Sequence, residues 1–359
     1  MKNIYLQILD HLNDDPSPVL ATVVGKKGSG PQVPGSSALF GEKGLLAGTV
    51  GGGAVEGKVT RIAAERIHSK ESGFLKFNLL NDITMKEEAI CGGELHILVD
   101  GQPVKHEKVF REIQSSIEND RKGILITRLS NLTESGTIVS RYWLTDDNVS
   151  WIPDDILQAA EPLLSQISNS PEQFKNAEIE LTVDENSMIF LEQLLPPPRL
   201  VIAGAGHIGR SLSHLGNWLG FDVTVIDDRE EFANRENLPE AHHIIAKDIG
   251  EAMRELKKGA NTYVVIVTRG HKDDAEALKQ CIGSDLAYTG MIGSRHKIIA
   301  LRDEFIKNGW ATSAQWSEIH SPIGLEINSR TIEEIAVSIA AQLIMIKNSG
   351  NGKSKPCPS

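Results

Sequence analysis

The sequence predicts an α/β protein in which a C-terminal parallel-sheet domain follows an N-terminal domain of mixed α/β character. Three observations carry that reading. Apolar stretches and helical stretches alternate from residue 200 onward, the pattern of a parallel sheet covered on both faces. The first apolar stretch, Val201-Ile-Ala, runs into Gly204-Ala-Gly-His-Ile-Gly209, and Asp227 closes the next one. Three consecutive prolines, Pro196–Pro198, separate this half from the first, because such a run neither continues a helix nor sits in a central strand. Strand, glycine turn, helix, strand and acid in that order are the context a G-x-G-x-x-G needs, so the C-terminal domain is expected to be Rossmann-like. The domain limits follow: residues 1–195, residues 196–347, and a flexible Gly/Ser/Lys/Pro tail over 348–359.

Taken in order, the N-terminal domain opens with a helix carrying Tyr5, Ile8, Leu9 and Leu12 on one face, then a strand from Val19 to Val24. A Gly/Pro loop over residues 28–35 leads to a hairpin, with Ser37–Phe40 and Leu45–Thr49 paired across Gly41-Glu-Lys-Gly44. Gly51, Gly52 and Gly53 then start a helix with Val55, Val59, Ile62, Ala63 and Ile67 at helical spacing. A strand from Glu94 to Val99 follows Cys91-Gly-Gly93, and residues 101–193 read as mixed helix and strand with few chemical signals. In the C-terminal domain the strands are expected at 200–203, 222–226, 243–246, 262–267 and 286–289. The last helix has a capping box, Thr331 and Glu334, ahead of an apolar stripe of Ile332, Ile335, Ala336, Ile339 and Leu343.

Composition narrows the function. The 359 residues carry 24% charged and 40% hydrophobic side chains and a net charge of −11, with no long basic run, which argues against a nucleic-acid binder. No apolar run approaches the roughly 20 residues a membrane span needs, and the N-terminus is broken by polar residues, so a cytoplasmic protein is expected. Cys91, Cys281 and Cys357 form no C-x-x-C, which supports neither a disulfide framework nor a cysteine zinc site, and no metal ligands are assigned.

Four groups of residues carry candidate chemistry. In the glycine loop, Gly204 permits the tight turn, Gly206 lets a pyrophosphate approach the backbone, and Gly209 lets helix and strand pack closely; the helix beginning near His207 offers its N–H groups to an anion. Asp227 suits a ribose diol, while Asp228 and Arg229 beside it leave NAD and NADP equally open. The loops after the fourth and fifth strands bring His271 as an acid/base or hydrogen-bond donor, or simply as a helix start, and Arg295 as a phosphate contact or a surface ion-pair partner. In the N-terminal domain, Gly51–Gly53 either fold around a ligand or make a tight strand-to-helix connection, with Glu56 capping the helix or reaching that ligand. Cys91, with Gly92 and Gly93, is either a reactive thiol or a small buried side chain. On composition, Ser321-Pro-Ile-Gly-Leu-Glu-Ile327 reads as a turn between domains.

The motifs in combination resemble the XdhC/CoxI family of molybdenum-cofactor accessory proteins: Gly28-Ser-Gly-Pro31, Gly48-Thr-Val-Gly-Gly-Gly53 with Glu56, Cys91-Gly-Gly93, Gly204-Ala-Gly-His-Ile-Gly209, Val225-Ile-Asp-Asp-Arg229, Gly290-Met-Ile-Gly-Ser-Arg295 and Ser321-Pro-Ile-Gly-Leu-Glu326. The resemblance implies a chaperone that binds the molybdenum cofactor (molybdopterin), assists its sulfuration and delivers it to a xanthine dehydrogenase-type molybdenum hydroxylase of purine catabolism. It further implies a cysteine desulfurase as a sulfur-supplying partner and is compatible with a homodimer. Two positions depart from the family pattern: Gln32 stands where many members have arginine, and Ala54 where many have cysteine. Cys91 is then the one motif cysteine left to handle sulfur. The alternatives are an NAD(P)-dependent oxidoreductase using His271, and a structural component of the hydroxylase complex.

Overall fold

The structure, a computed structural model, describes residues 3–12, 17–29, 32–79, 93–145, 151–169, 178–184 and 186–349. The chain divides into two compact units, Lys2–Pro196 and the chain from Pro197 onward, so the division falls within the proline run.

In the first unit the elements are α1 (Ile4–His11), β1 (Val19–Gly28), β2 (Ser37–Gly41), β3 (Gly44–Gly48), α2 (Gly53–Ser69), β4 (Gly73–Asn78), β5 (Gly93–Asp100), α3 (Glu107–Glu118), β6 (Gly123–Ser130), β7 (Ile138–Leu144), α4 (Asp154–Asn169), β8 (Glu178–Asp184) and β9 (Ser187–Leu194). An antiparallel sheet of order β3-β2-β1-β5-β4 lies beside a second antiparallel sheet, β7-β6-β9-β8. The hairpin forms as its punctuation predicts: Phe40 pairs with Leu45 and Gly41 with Gly44, whose φ of 107° is a conformation glycine adopts without a Cβ clash. Val55, Val59, Ala63 and Ile67 of α2 are spaced four apart and bury one stripe against Val19, Val23, Phe77 and Ile97 of the first sheet. The opposite face holds Leu20 and Leu39 against Tyr5 and Ile8 of α1, Phe110 and Ile113 of α3, and Trp143 of the second sheet. Sequence pattern alone left this second sheet undivided. Its β6 has buried residues at Leu125, Ile126, Thr127 and Leu129, without the clean alternation that marks a half-exposed strand.

The second unit contains β10 (Arg199–Ala203), α5 (His207–Trp218), β11 (Asp222–Asp227), β12 (His243–Ala246), α6 (Ile249–Glu255), β13 (Thr262–Ile266), α7 (His271–Lys279), β14 (Tyr288–Met291), α8 (Arg295–Lys307), α9 (Ser313–Trp316) and α10 (Ile332–Asn348). Its parallel sheet has the order β12-β11-β10-β13-β14, so the direction of winding reverses between β10 and β13. That is the doubly wound arrangement, and its switch point lies at the C-terminal ends of β10 and β13. Helices α6, α7 and α8 cover one face through Ile249, Met253, Leu278, Leu301 and Phe305. Helices α5 and α10 cover the other through Leu212, Ile339, Leu343 and Ile346. The capping box of α10 is present, with Thr331 accepting from the Glu334 N–H and Glu334 bonded back to the cap backbone.

Two expectations need correction here. The fifth strand starts at Tyr288, two residues later than its apolar run, because Ala287 still belongs to the approach to the sheet and its N–H donates to Thr262 O. The segment 321–327 is also no inter-domain turn. His320 bridges in parallel to Gly290, and the Ile323 N–H donates to Met291 O, so the segment extends the sheet edge beyond β14. Its proline and glycine punctuate a backbone that must pair with β14 and then turn back to α10.

Candidate functional site

The glycine loop of the second unit is built by three different demands. Gly204 has φ of 114°, and a Cβ there would stand 2.5 Å from Val267 O. A Cβ on Gly209 would stand 1.9 Å from Gly204 O, so the helix packs on the turn only because that carbon is missing. Gly206 is different: a Cβ there meets nothing within 4 Å, and the residue N-caps α5 with no side-chain hydrogen bond. By contrast α6, α8, α9 and α10 are each capped by a side chain, from Asp248, Ser294, Thr312 and Thr331 respectively. The start of α5, with His207 exposed as its first residue, therefore presents backbone N–H groups to an open space, the arrangement suited to a diphosphate.

At the end of β11 the Asp227 carboxylate faces this loop from a position only 2% exposed. It accepts from Ala205 N at 2.8 Å, Arg229 N at 3.1 Å, Arg229 Nε at 2.8 Å and Arg229 Nη2 at 2.9 Å. Burial pushes its pKa up, but the bonds from Arg229 and Ala205 outweigh burial and hold it below the usual carboxylate range. Arg229 lies with its guanidinium carbon 3.8 Å from the Phe232 ring centroid. Across the loop, Arg269 Nη2 stands 3.6 Å from Asp228 Oδ2. Sequence reading singled out Asp227 and passed over Arg269; a basic residue three positions beyond a strand end at the switch point was the available signal.

The other two loops hold their polar groups among themselves. Asp274, fully buried, accepts from Thr268 Oγ1 at 2.5 Å and from Lys297 Nζ. Burial raises its pKa despite both bonds. His271 is the first residue of α7, half exposed, with Nε2 3.1 Å from Glu304 Oε2 of α8. Arg295 is the exposed first residue of α8, beside the Ser294 cap. Behind them His320 stacks on Tyr288 at 4.7 Å, and burial lowers its pKa. Tyr288 Oη donates to Gln342 Oε1 at 2.5 Å, and Gly324 N donates to the same oxygen at 2.8 Å. A groove of about 640 Å³ runs beside α5 and includes Arg210, His214, Glu240 and Val337, but none of Gly204–Gly206 lines it.

In the first unit, Gly51, Gly52 and Gly53 have φ of 131°, 68° and 55°, three successive positive values that non-glycine residues rarely adopt. Gly52 N-caps α2 without a side-chain bond, and a Cβ on it meets nothing within 4 Å. Glu56 reaches back over this loop: its Oε2 accepts from Thr49 Oγ1 at 2.5 Å and from Val50 N at 3.2 Å, and Thr49 Oγ1 in turn accepts from Gly51 N. Gly93 is held by close packing, since a Cβ would lie 2.2 Å from Ser29 O. Cys91 and Gly92 lie outside the described residues. Gln32, at one departure from the family pattern, accepts from Ser36 Oγ at 2.9 Å and so ties its own loop together. Among the described residues no group of three or more His, Cys, Asp or Glu side chains is placed to hold a metal, and no helix is long and apolar enough to cross a membrane.

Fold and site together define a two-unit α/β protein: a Rossmann unit with an open glycine loop, preceded by a mixed unit with a second glycine-opened helix. The family profile described as the XdhC Rossmann domain matches residues 200–343, and that described as the XdhC and CoxI family matches residues 12–78. The chain belongs to the XdhC and CoxI family. It is 24% identical over 354 residues, 97% of this chain and 98% of the relative, to a Bacillus subtilis (strain 168) protein whose name makes it a probable subunit of xanthine dehydrogenase. An Escherichia coli (strain K12) protein, uncharacterized protein YqeB, is 32% identical over 163 residues, 45% of this chain and 30% of that protein. A crystal structure titled a xanthine dehydrogenase from Bacillus halodurans has the same fold, with a TM-score of 0.78, 23% identity and 98% of each chain covered.

Proposed function

We propose that this protein binds the molybdenum cofactor, assists its sulfuration and delivers it to a xanthine dehydrogenase-type hydroxylase, with a cysteine desulfurase as the sulfur source. The family assignment supports the link to that enzyme, as does the name of the full-length relative from Bacillus subtilis. The single observation that carries the binding reading is the loop Gly51–Gly53. A phosphate dianion needs backbone N–H groups at an uncapped helix start and room to enter. Gly52 meets both conditions, and the residues present fit the group. Gly52 and Gly53 would hold that phosphate, while Thr49, which takes the Gly51 N–H, and Glu56 keep the loop in shape from the protein side. Cys91 would receive and pass on sulfur. When bound, the cofactor supplies the anionic anchor and the molybdenum centre that is the cargo.

Anaerobic titration of the full chain with molybdenum cofactor tests this reading. Binding at micromolar or tighter affinity is expected, weakened at least about tenfold in Gly52→Ala. Cys91→Ala should bind the cofactor yet fail to deliver the sulfurated form, read as activity of the reconstituted hydroxylase. Absence of binding in the wild type, or full activation by Cys91→Ala, overturns the corresponding part. The glycine loop at residues 204–209 favours a second reading, an NAD(P)-dependent oxidoreductase. Hydride transfer to NAD(P) by the isolated protein would establish it.

A further inference from the structure

We propose that the switch-point crevice of the second unit binds an NADP-type dinucleotide, recognised through a phosphate on the adenosine ribose rather than through a free ribose diol. This concerns a second ligand and does not depend on the molybdenum-cofactor reading.

The argument begins with acceptor capacity. An ionised carboxylate offers about four lone-pair sites. Asp227 already accepts four hydrogen bonds, one from Ala205 and three from Arg229. It is also 2% exposed. The residue that elsewhere receives the two hydroxyls of a ribose has here neither a vacancy nor a path to them, and its work is to tie the glycine loop to the end of β11.

What the crevice presents instead is a pair of guanidinium groups. Arg229 follows β11 and Arg269 follows β13, so they arrive from the strands on either side of β10, whose own loop receives the diphosphate. Bonds to Asp227 use one N–H of Nε and one of Nη2, two of the five donors of Arg229, and the contact with Phe232 fixes the plane of the group. Between the two arginines stands Asp228, 3.8 Å from Arg229 Nε and 3.6 Å from Arg269 Nη2. Those distances are too long for hydrogen bonds, and the Asp228 side chain is 43% exposed. The Asp228 carboxylate therefore already marks the place, turning one oxygen toward each guanidinium without a hydrogen bond to either. A phosphate brings nearly two charges and three acceptor oxygens to the same two guanidiniums, a geometry arginine matches bidentately. An arginine near the end of the second strand is the general device by which this fold takes a 2′-phosphate.

Calorimetric titration of the full chain with NADP⁺ and with NAD⁺ tests the proposal. NADP⁺ should bind at least about tenfold tighter, with the difference shrinking as salt is raised. Arg269→Ala, at a side chain 60% exposed, should leave the thermal transition in place and erase most of the preference while changing NAD⁺ affinity little. Asp228→Asn should strengthen NADP⁺ binding. Gly206→Val should abolish binding of both, since its side chain would fill the open space at the loop. NAD⁺ binding as tight as NADP⁺, binding of neither at millimolar concentration, or an undiminished preference in Arg269→Ala would each overturn the proposal.

Discussion

Glu192 is buried at 6% exposure in β9 and accepts from Tyr5 Oη at 2.6 Å. Burial pushes its pKa up to about 7, although the Tyr5 bond and the charge of Arg141 both pull it down. The folded protein thus prefers the protonated form. The stabilisation is fully present below the ordinary carboxylate range and is lost as pH rises through about 7, amounting to about 3 kcal/mol across the interval. The midpoint of thermal unfolding should accordingly decline as pH rises from about 4.5 to about 7 and level off above that, and Glu192→Gln should flatten that slope while keeping an acceptor for Tyr5. Parallel profiles for the two proteins would show that another group governs the transition. The glycines give a second test at this scale. Gly209→Ala forces a Cβ to 1.9 Å from Gly204 O and should cost about 1–3 kcal/mol in urea denaturation. Gly206→Ala faces open space at a φ of −68° and should cost about 1 kcal/mol or less, through its cap position alone.

Elements are held by contacts that sequence shows unevenly. The capping box of α10 was legible, because Thr331 and Glu334 lie three apart ahead of an apolar stripe. Thr331→Ala should lower stability by about 1 kcal/mol, measured by chemical denaturation. The buried pair of Asp100 at the end of β5 and Arg141 in β7 was not legible, since 41 residues separate them and only the pairing of two sheets brings them together. Burial raises the Asp100 carboxyl, but Arg141 outweighs it and holds the group ionised, while burial and the same arginine push His106 down to about 4. Arg141→Met would strand that carboxylate, and a loss of about 3–5 kcal/mol is expected in the same assay. The same contrast runs through the candidate site. Gly204, Gly206 and Gly209 announce themselves by spacing, because each answers a local backbone demand. That Asp227 is filled by Arg229, or that His320 stacks on Tyr288, depends on side-chain directions that no periodicity encodes. The segment 321–327 departs from its expected role for a related reason: the parallel bridge of His320 to Gly290 and the Ile323 N–H bonded to Met291 O lay it along the sheet edge, and two isolated contacts leave no repeating pattern in sequence.

On the scale of the molecule, the proline run separates two bodies with cores of their own, one set of clusters around α2, α3 and the two antiparallel sheets, the other around the parallel sheet. The chain from Pro197 onward should therefore unfold cooperatively when expressed alone, read by circular dichroism against the full chain; a fragment without a thermal transition would show that it needs the first unit. Within that unit, Gln342 receives both Tyr288 and Gly324 on one oxygen, and Ile339, Leu343 and Ile346 close one face of the sheet. Gln342, Ile339, Leu343 and Ile346 all sit on α10. On the ribosome the first unit has its core in hand before the second is made, whereas the second must wait for α10. Until α10 emerges, the sheet face carrying Val225, Val265 and Tyr288 lacks the cover of that helix, so the arrival of α10 is the moment at which this apolar face of the second unit becomes safe from aggregation.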